Sequence, residues 1–466
     1  MTRLFRYFLL FAALFLVTGI VSAQVTESIR GLHKVKKKET VFGISRMYDL
    51  TIEELIEANP EMNTPGYELK KGDVIKIPFS KTNRPQQVQT TEAPKTNQQH
   101  AEEENISQQG QIGTARRPIR LGVMLPLHDI NGDGRRMVEY YRGVLMACDS
   151  VKKLGISVDV HAWNVAEDGN MQQVLSDKAA ARCDLIIGPL YSKQVPYLSP
   201  FVSEHDIKLV IPFSINAPQL TTNRHIFQIW QSANDIHDSS ITHFMERFKN
   251  DHPVFIDCND STSNKGSFTF GLRRQLEQRG IVYSLTNLKS GEDAFAKAFS
   301  RTKRNVVILN TGRGAELGVA FSKINGLKTT FPELEITMFG YSDWLLYTQR
   351  HLENFYKYDT YIPSVFFYNP LSTATQRLQQ NYRRNFRADM QTLLPRFAIT
   401  GFDHAFYFLR GLYKYGKTFN GAAGMLGFAP VQTPLQFERY GNGGLRNRTL
   451  MFVHYTPDHR VETIKF

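Results

Sequence analysis

Residues 119–134 read "IRLGVMLPLHDINGDG", and the fold turns on how this stretch is understood. Its tail, "DINGDG" at 129–134, opens like a calcium loop. Asp129, Asn131 and Asp133 offer oxygens at positions 1, 3 and 5, and Gly134 stands at position 6. Such a loop also needs a bidentate Glu at position 12, which here is Tyr140; Glu139 falls one place early. The head of the stretch decides the matter. A calcium loop of this kind follows a helix, whereas "IRLGVMLPL" is a short apolar run of strand length. The reading is therefore strand, tight Gly/Asp corner, helix, with no metal and no cofactor expected.

Outward from there the same rhythm continues. Residues 135–154 place Met137, Tyr140, Tyr141, Val144, Leu145 and Cys148 at helical spacing. "SVDVHAW" reads as a strand, 170–182 as a helix, "DLIIGPL" as a strand, 192–204 as a helix and "IKLVIPFS" as a strand. Strands alternating with helices predict a doubly wound parallel sheet. The rhythm restarts at "PVFID", "VYSLTNL", "NVVILN" and "LEITMFG". The fold class is thus α/β, with two doubly wound lobes in succession over 118–466. Loops leaving the carboxyl ends of such strands form the lips of a cleft.

A chain of 466 residues is too long for one core. It starts "MTRLFRYFLLFAALFLVTGIVSAQ", with Arg3 and Arg6, an apolar run and a small-residue ending at Ala23. This predicts a cleaved signal peptide over 1–23, the alternative being a retained anchor. Gln24 rather than Cys follows, so no lipid anchor is expected, and the product is read as periplasmic or secreted. The formal charge is +12. Export turns that charge away from nucleic acid and toward carboxylate-bearing wall peptides or anionic lipid head groups. Cys148, Cys183 and Cys258 sit in or beside apolar runs without a C-x-x-C pair, which predicts burial, with a disulfide between two of them left open. Residues 80–117 lack aromatics and are rich in Gln, Thr, Asn and Glu, the composition of a disordered linker.

The segment before the linker, 31–79, carries a compact pattern. Leu32 to Val35 alternates like a strand, and Thr40 is placed to cap a helix with Val41, Ile44 and Met47 on one face. Thr51 and Glu54 form a capping-box pair ahead of Ile52, Leu55 and Ile56, Pro60 stops that helix, and Asp73 to Ile77 alternates again. On His33, Val35, "KKET", Ile44, Tyr48, "TIEELIEANP" and "LKKGDVIKIP" the segment resembles the LysM family. That resemblance implies a βααβ module binding N-acetylglucosamine units of peptidoglycan or chitin. Its groove would lie between Lys38, Glu39 and Thr40 on one turn and Asn59, Pro60, Glu61 and Met62 on the other. Without the resemblance, the same residues read as caps and turns.

The long segment resembles the type I periplasmic binding proteins for branched-chain amino acids. The resemblance rests on "LGVMLPL", "GVLMACDSVKKLG", "DLIIGPLYSKQV", "IKLVIPFS", "VVILN", "GYSDW", "GFDHAFYF" and the closing hairpin "LMFVHYTPDHRVETIKF". "GPLYSKQV" also resembles lipoprotein activators of peptidoglycan synthases. Ser192 opening a helix, Ser214 after the next strand and Asp343 in the second lobe are the expected cleft contacts. Ser192 reads first as a helix N-cap and only second as a ligand contact, Asp343 can likewise cap the helix after it, and Tyr191, Phe213, Tyr341 and Trp344 read as cleft lining or core. No HExxH or phosphate loop is present, and "SVKK" and "SRTK" have no companion motifs, so no catalytic residue is expected. Two functions follow: a wall-held receptor or scaffold partnering peptidoglycan strands and cell-wall synthesis or remodelling proteins, or a solute receptor passing amino acids or muropeptides to a transporter.

Overall fold

The computed structural model describes residues 29–35, 41, 44–45, 48, 50, 52–63, 69–78 and 117–466. The expected signal segment, most of the linker, and Lys38, Glu39 and Thr40 lie outside the described residues. Contacts divide the chain into two units, Met1–Gly113 and Thr114–Phe466. In the first, β1 (Ile29–Lys34) pairs antiparallel with β2 (Val74–Pro78), and α1 (Ile52–Glu57) runs into a 3-10 turn at Pro60–Asn63. Val41, Ile44 and Ser45 are helical. Val35, Ile44, Leu50, Leu55, Met62, Ile75 and Ile77 make the core.

In the second unit β3 (Ile119–Leu125) leads through the Gly/Asp corner into α2 (Gly132–Lys152). Asn131 is the N-cap, its side chain accepting from the Gly134 N–H at 2.9 Å. Tyr140, at the twelfth place of the calcium reading, is fully buried with its hydroxyl 2.9 Å from His404 Nδ1. Glu139 turns inward, and both its oxygens accept the Gln391 backbone N–H at 2.9 Å. The corner is occupied with building a helix.

The chain then forms β4 (Val158–Asn164), α3 (Met171–Leu175), α4 (Lys178–Ala181), β5 (Leu185–Ile187), α5 (Val195–Glu204), β6 (Lys208–Ile211) and β7 (Ile226–Gln228). The single helix expected over 170–182 is two, because Asp177 starts a new helix by capping the Ala179 N–H at 2.8 Å. Alternate side chains of the strands fill opposite faces. Leu121, Val123 and Leu125 pack under α2, while Met124, Ile186 and Leu209 pack under α5.

The second lobe comprises α6 (Ala233–Arg247), β8 (His252–Asp257), α7 (Gly266–Gln278), β9 (Ser284–Asn287), α8 (Glu292–Ala296), β10 (Asn305–Leu309), α9 (Gly314–Thr330), β11 (Ile336–Phe339), α10 (Thr348–Lys357) and β12 (Thr360–Ser364). After it come α11 (Thr373–Phe386), α12 (Phe397–Tyr415), β13 (Phe437–Arg439), β14 (Leu445–Asn447), β15 (Met451–Tyr455) and β16 (Val461–Lys465). The two seven-stranded sheets have the orders β13-β14-β7-β6-β5-β3-β4 and β16-β15-β12-β11-β10-β8-β9. Neighbours are parallel except for the β13–β14, β12–β15 and β15–β16 pairs.

The expectation of two lobes in succession needs correcting. Helices α11 and α12 and strands β13 and β14 return to the first lobe, and only the final hairpin rejoins the second. The chain crosses between lobes near 229–232, 365–372 and 448–450. Asp235, at the start of α6, accepts from Arg446 at 3.0 Å and Arg448 at 3.4 Å. Gln231 Nε2 donates to Thr449 O at 2.7 Å, and the Phe367 N–H donates to Gln432 O at 2.9 Å. All three crossings are stitched.

The return is made possible by glycine. A Cβ on Gly143 of α2 would lie 1.9 Å from the Ala398 carbonyl of α12, and one on Gly401 would lie 2.0 Å from the Tyr140 carbonyl. The helices therefore meet backbone to backbone. Gly143→Ala should cost on the order of 3 kcal/mol in denaturant unfolding. Gly326→Ala, in exposed mid-helix with nothing within 4 Å of its Cβ, should gain about 0.5–1 kcal/mol.

Asp403 and His404 on α12 give opposite pH dependences. Burial raises the Asp403 carboxyl to about 6, against three backbone N–H donors from Val431, Gln432 and Thr433 that pull it down. The folded state then holds this proton more tightly than the unfolded chain does. Its contribution to stability is present at low pH and lost as pH rises through about 6. Burial pushes His404 down to about 3, so its contribution is lost as pH falls below the usual histidine range. A difference measurement separates the two. The stability of the native chain minus that of Asp403→Asn should grow as pH is lowered from roughly 7 to 4.5, read by denaturant unfolding.

Candidate functional site

In the small module the second turn of the expected groove is described. Asn59 is fully buried, and its side chain is consumed internally. Nδ2 donates to Leu55 O at 2.8 Å and Lys76 O at 2.7 Å, while Oδ1 accepts the Lys76 N–H at 2.7 Å. Its backbone carbonyl also accepts the Met62 N–H at 2.9 Å. Asn59 thus bolts the end of α1 to β2, a task different from the glycan contact expected of it. Met62 is buried in the core, and Pro60 and Glu61 are the members of this turn that face solvent. His33 Nδ1 and the Tyr48 hydroxyl meet at 2.8 Å, tying β1 to the segment before α1. Val35 N and O pair with Asp73 O and the Gly72 N–H.

In the two-lobed unit the cleft lips are the loops after β3, β5 and β6 in one lobe and after β8, β10 and β11 in the other. Ser192 begins a 3-10 turn, Ser192–Gln194, for which Tyr191 is the N-cap residue; no side chain makes a capping hydrogen bond there. Its hydroxyl is in a short hydrogen bond with that of Ser214, which is buried. The structure thus brings Ser192 and Ser214 together. Tyr191 donates its hydroxyl to Asp133 at 3.3 Å, and Asp133 also faces Arg136 at 3.3 Å. Lys193 is clasped by Asp168 at 2.6 Å and Glu167 at 3.3 Å.

Across the cleft Asp343 is paired within its own lobe. Lys265 Nζ lies 2.7 Å from Asp343 Oδ2 and 5.1 Å from the centre of the Tyr341 ring. The Lys265 side chain is only 15 % exposed, against 42 % for Asp343. Gly312 leaves the room for this pair, since a Cβ there would lie 2.8 Å from Lys265 Cε and 3.1 Å from Asp343 Cγ. Beside it, Asp260 accepts from Thr262 Oγ1 at 2.6 Å, Thr311 Oγ1 at 2.7 Å and the Thr262 N–H at 3.0 Å. The hydrogen bonds from Thr262 and Thr311 hold its carboxyl down to about 2. Lys265 and Asp260 were missed in the sequence. Their signal was a polar loop, "CNDSTSNKG", directly after an apolar strand.

Tyr341 and Trp344 belong to the core, and Phe213 packs edge-on to Tyr140 at 5.4 Å. Two cavities open in the second lobe. One of about 250 Å³ lies between the ends of β8 and β9 and the start of α9; the other, about 530 Å³, lies at the opposite ends of those strands. Neither is lined by Ser192, Ser214 or Asp343. Among the described residues no group of three or more His, Cys, Asp or Glu gathers as a metal would require. The three cysteines are unpaired. Burial pushes each of their thiols up to about 12, away from the reactive thiolate. In the two S-x-x-K strings, Ser150 donates to the Met146 carbonyl at 2.9 Å, and Ser300 accepts the Thr302 and Lys303 N–H groups. Among the described residues no helix is long and apolar enough to cross a membrane.

Both units have likenesses among known proteins. Residues 33–78 match the LysM domain family. A putative branched-chain amino acid ABC transporter protein from Rhodospirillum rubrum superposes with a TM-score of 0.52 at 13% identity, covering 75% of this chain and 100% of that one. Full-length LpoA from Haemophilus influenzae gives a TM-score of 0.48 at 12% identity, covering 75% of this chain and 59% of its own. No curated protein matches. The chain combines a LysM domain with a type I periplasmic-binding-protein-like fold.

Asn59→Ala leaves the Lys76 N–H and two carbonyls without partners in the interior of the module. The substitution should destabilise the LysM domain by about 2–3 kcal/mol, read as a melting transition lowered by roughly 10 °C or more against the native domain.

Proposed function

We propose that this chain is a non-catalytic wall-binding protein working outside the cytoplasm, in the periplasm or secreted. Its LysM domain holds N-acetylglucosamine-containing strands of peptidoglycan, and its two-lobed unit is a receptor or scaffold surface for cell-wall synthesis or remodelling proteins. The observation that carries the second half is the state of the cleft lips. A receptor for a free amino acid keeps hydroxyls and N–H groups for the carboxylate and an acid for the ammonium. Here Ser192 is engaged by Ser214, and the charge of Asp343 is answered by a largely buried Lys265. A solute ammonium would have to displace an ammonium already in place and leave it without its counter-charge.

The absence of catalysis draws support from the thiols, which burial keeps protonated, and from the committed serines of both S-x-x-K strings. Calorimetric titration of the full chain tests the whole reading. N-acetylglucosamine oligomers should bind saturably, whereas amino acids and muropeptides should give no heat attributable to the cleft. Failure of the oligomers removes the glycan assignment. A micromolar amino acid or muropeptide whose binding is lost in Ser192→Ala or Asp343→Ala makes the unit a solute receptor instead.

A further inference from the structure

We infer that the outer face of α11 is a second wall contact, one that takes the carboxylates of peptidoglycan peptides. This rests on the reading of the chain as a peptidoglycan-binding protein. Helix α11 buries Thr375, Leu378 and Tyr382 and turns Arg377, Arg383, Arg384 and Arg387 to solvent. Among the described helices of ten residues or more, it alone contains no Asp or Glu. Surface helices ordinarily balance their own charge through neighbours one turn apart. This one does the reverse, setting Arg383 and Arg387 a turn apart as like charges.

Little nearby offsets the excess. Asp389 pairs with Arg383, and Arg384 donates to the neutral Asn381 at 2.9 Å. Arg383 and Arg384 lie in the last turn and answer the helix dipole, but Arg377 lies in the first half and Arg387 beyond the end. Arg387 has a φ of 54°, the left-handed conformation where Gly or Asn is usual. Over 373–390 the chain holds four Arg against one Asp.

The chemistry that fits is a polymer with repeated carboxylates. Guanidinium forks pair with carboxylates in two-pronged fashion, which lysines do not. Arg377 and Arg384 stand two turns apart, about 10 Å along the helix, a spacing that a single small solute does not span.

The test is sedimentation of the full chain with insoluble peptidoglycan in the presence of saturating N-acetylglucosamine oligomer, which occupies the LysM domain. Binding that survives the oligomer should weaken with salt. It should fall about tenfold in the triple variant Arg377→Gln/Arg384→Gln/Arg387→Gln, and disappear on peptidoglycan stripped of its peptides. The substituted side chains are exposed, so the variant should melt with the native chain. The inference is overturned if no binding survives the oligomer, if the variant sediments like the native chain, or if stripping the peptides changes nothing. It is also overturned if the variant loses retention only on acidic phospholipid vesicles. Failure of the oligomer to displace any of the chain counts against the LysM assignment instead, and leaves the arginine dependence readable.

Discussion

The contact on which the two-lobed unit depends is the crossing of α2 and α12 at Gly143 and Gly401. Each glycine receives a carbonyl of the other helix where a Cβ would otherwise stand. Because the backbones approach so closely, Phe408, Leu409 and Tyr407 of α12 reach the same apolar layer as Leu121, Val123 and Leu125 of β3. Without α12, one face of the first sheet would be only partly covered. The helix that completes the first lobe thus comes from far along the chain, and the threefold crossing follows from that requirement.

Much of this was legible in the sequence, and the reasons are local. β3, β5, β6, β8, β10 and β11 are short apolar runs followed by turn residues and amphipathic helices, and such patterns depend on near neighbours. Strands β7, β13 and β14 were not read from the sequence: each is only three residues long, none carries an apolar run like that of β5, and β14 owes its place to a distant partner. β14 adds to β7 across more than two hundred residues of intervening chain. Periodicity carries no record of which sheet edge a late segment joins, so the lobes read as consecutive when they are interleaved.

The candidate site was legible in position more than in role. Ser192, Ser214 and Asp343 do stand in loops after strands, as the alternation requires. What the sequence could not convey is that Ser192 faces Ser214 and that a lysine from another loop meets Asp343. Such pairings are fixed by side-chain geometry between segments 22 and 78 residues apart. Asn59 teaches the same lesson in the small module. Its place before Pro60 marks a helix end, yet nothing in the local string tells that its amide reaches across to Lys76. A buried amide meeting all its partners fixes the angle between helix and strand, and so the shape of the surface that Pro60 and Glu61 present.

The interleaving of lobes also sets an order of assembly on a chain made from its amino end. The first lobe has β3 to β7 in hand early, but β14 and the covering helix α12 arrive only after the second lobe's β8 to β12 have been synthesised. The middle segment can gather its own helices around a parallel sheet, its β12 edge open until β15 arrives, while the first lobe waits with an open edge at β7 and an apolar face only partly covered by α2. Contacts closing such long loops are slow to form, and exposed strand edges are where chains mispair. The first lobe therefore passes through most of synthesis lacking both an edge strand and a covering helix, and it becomes whole only when residues near 445 have left the ribosome.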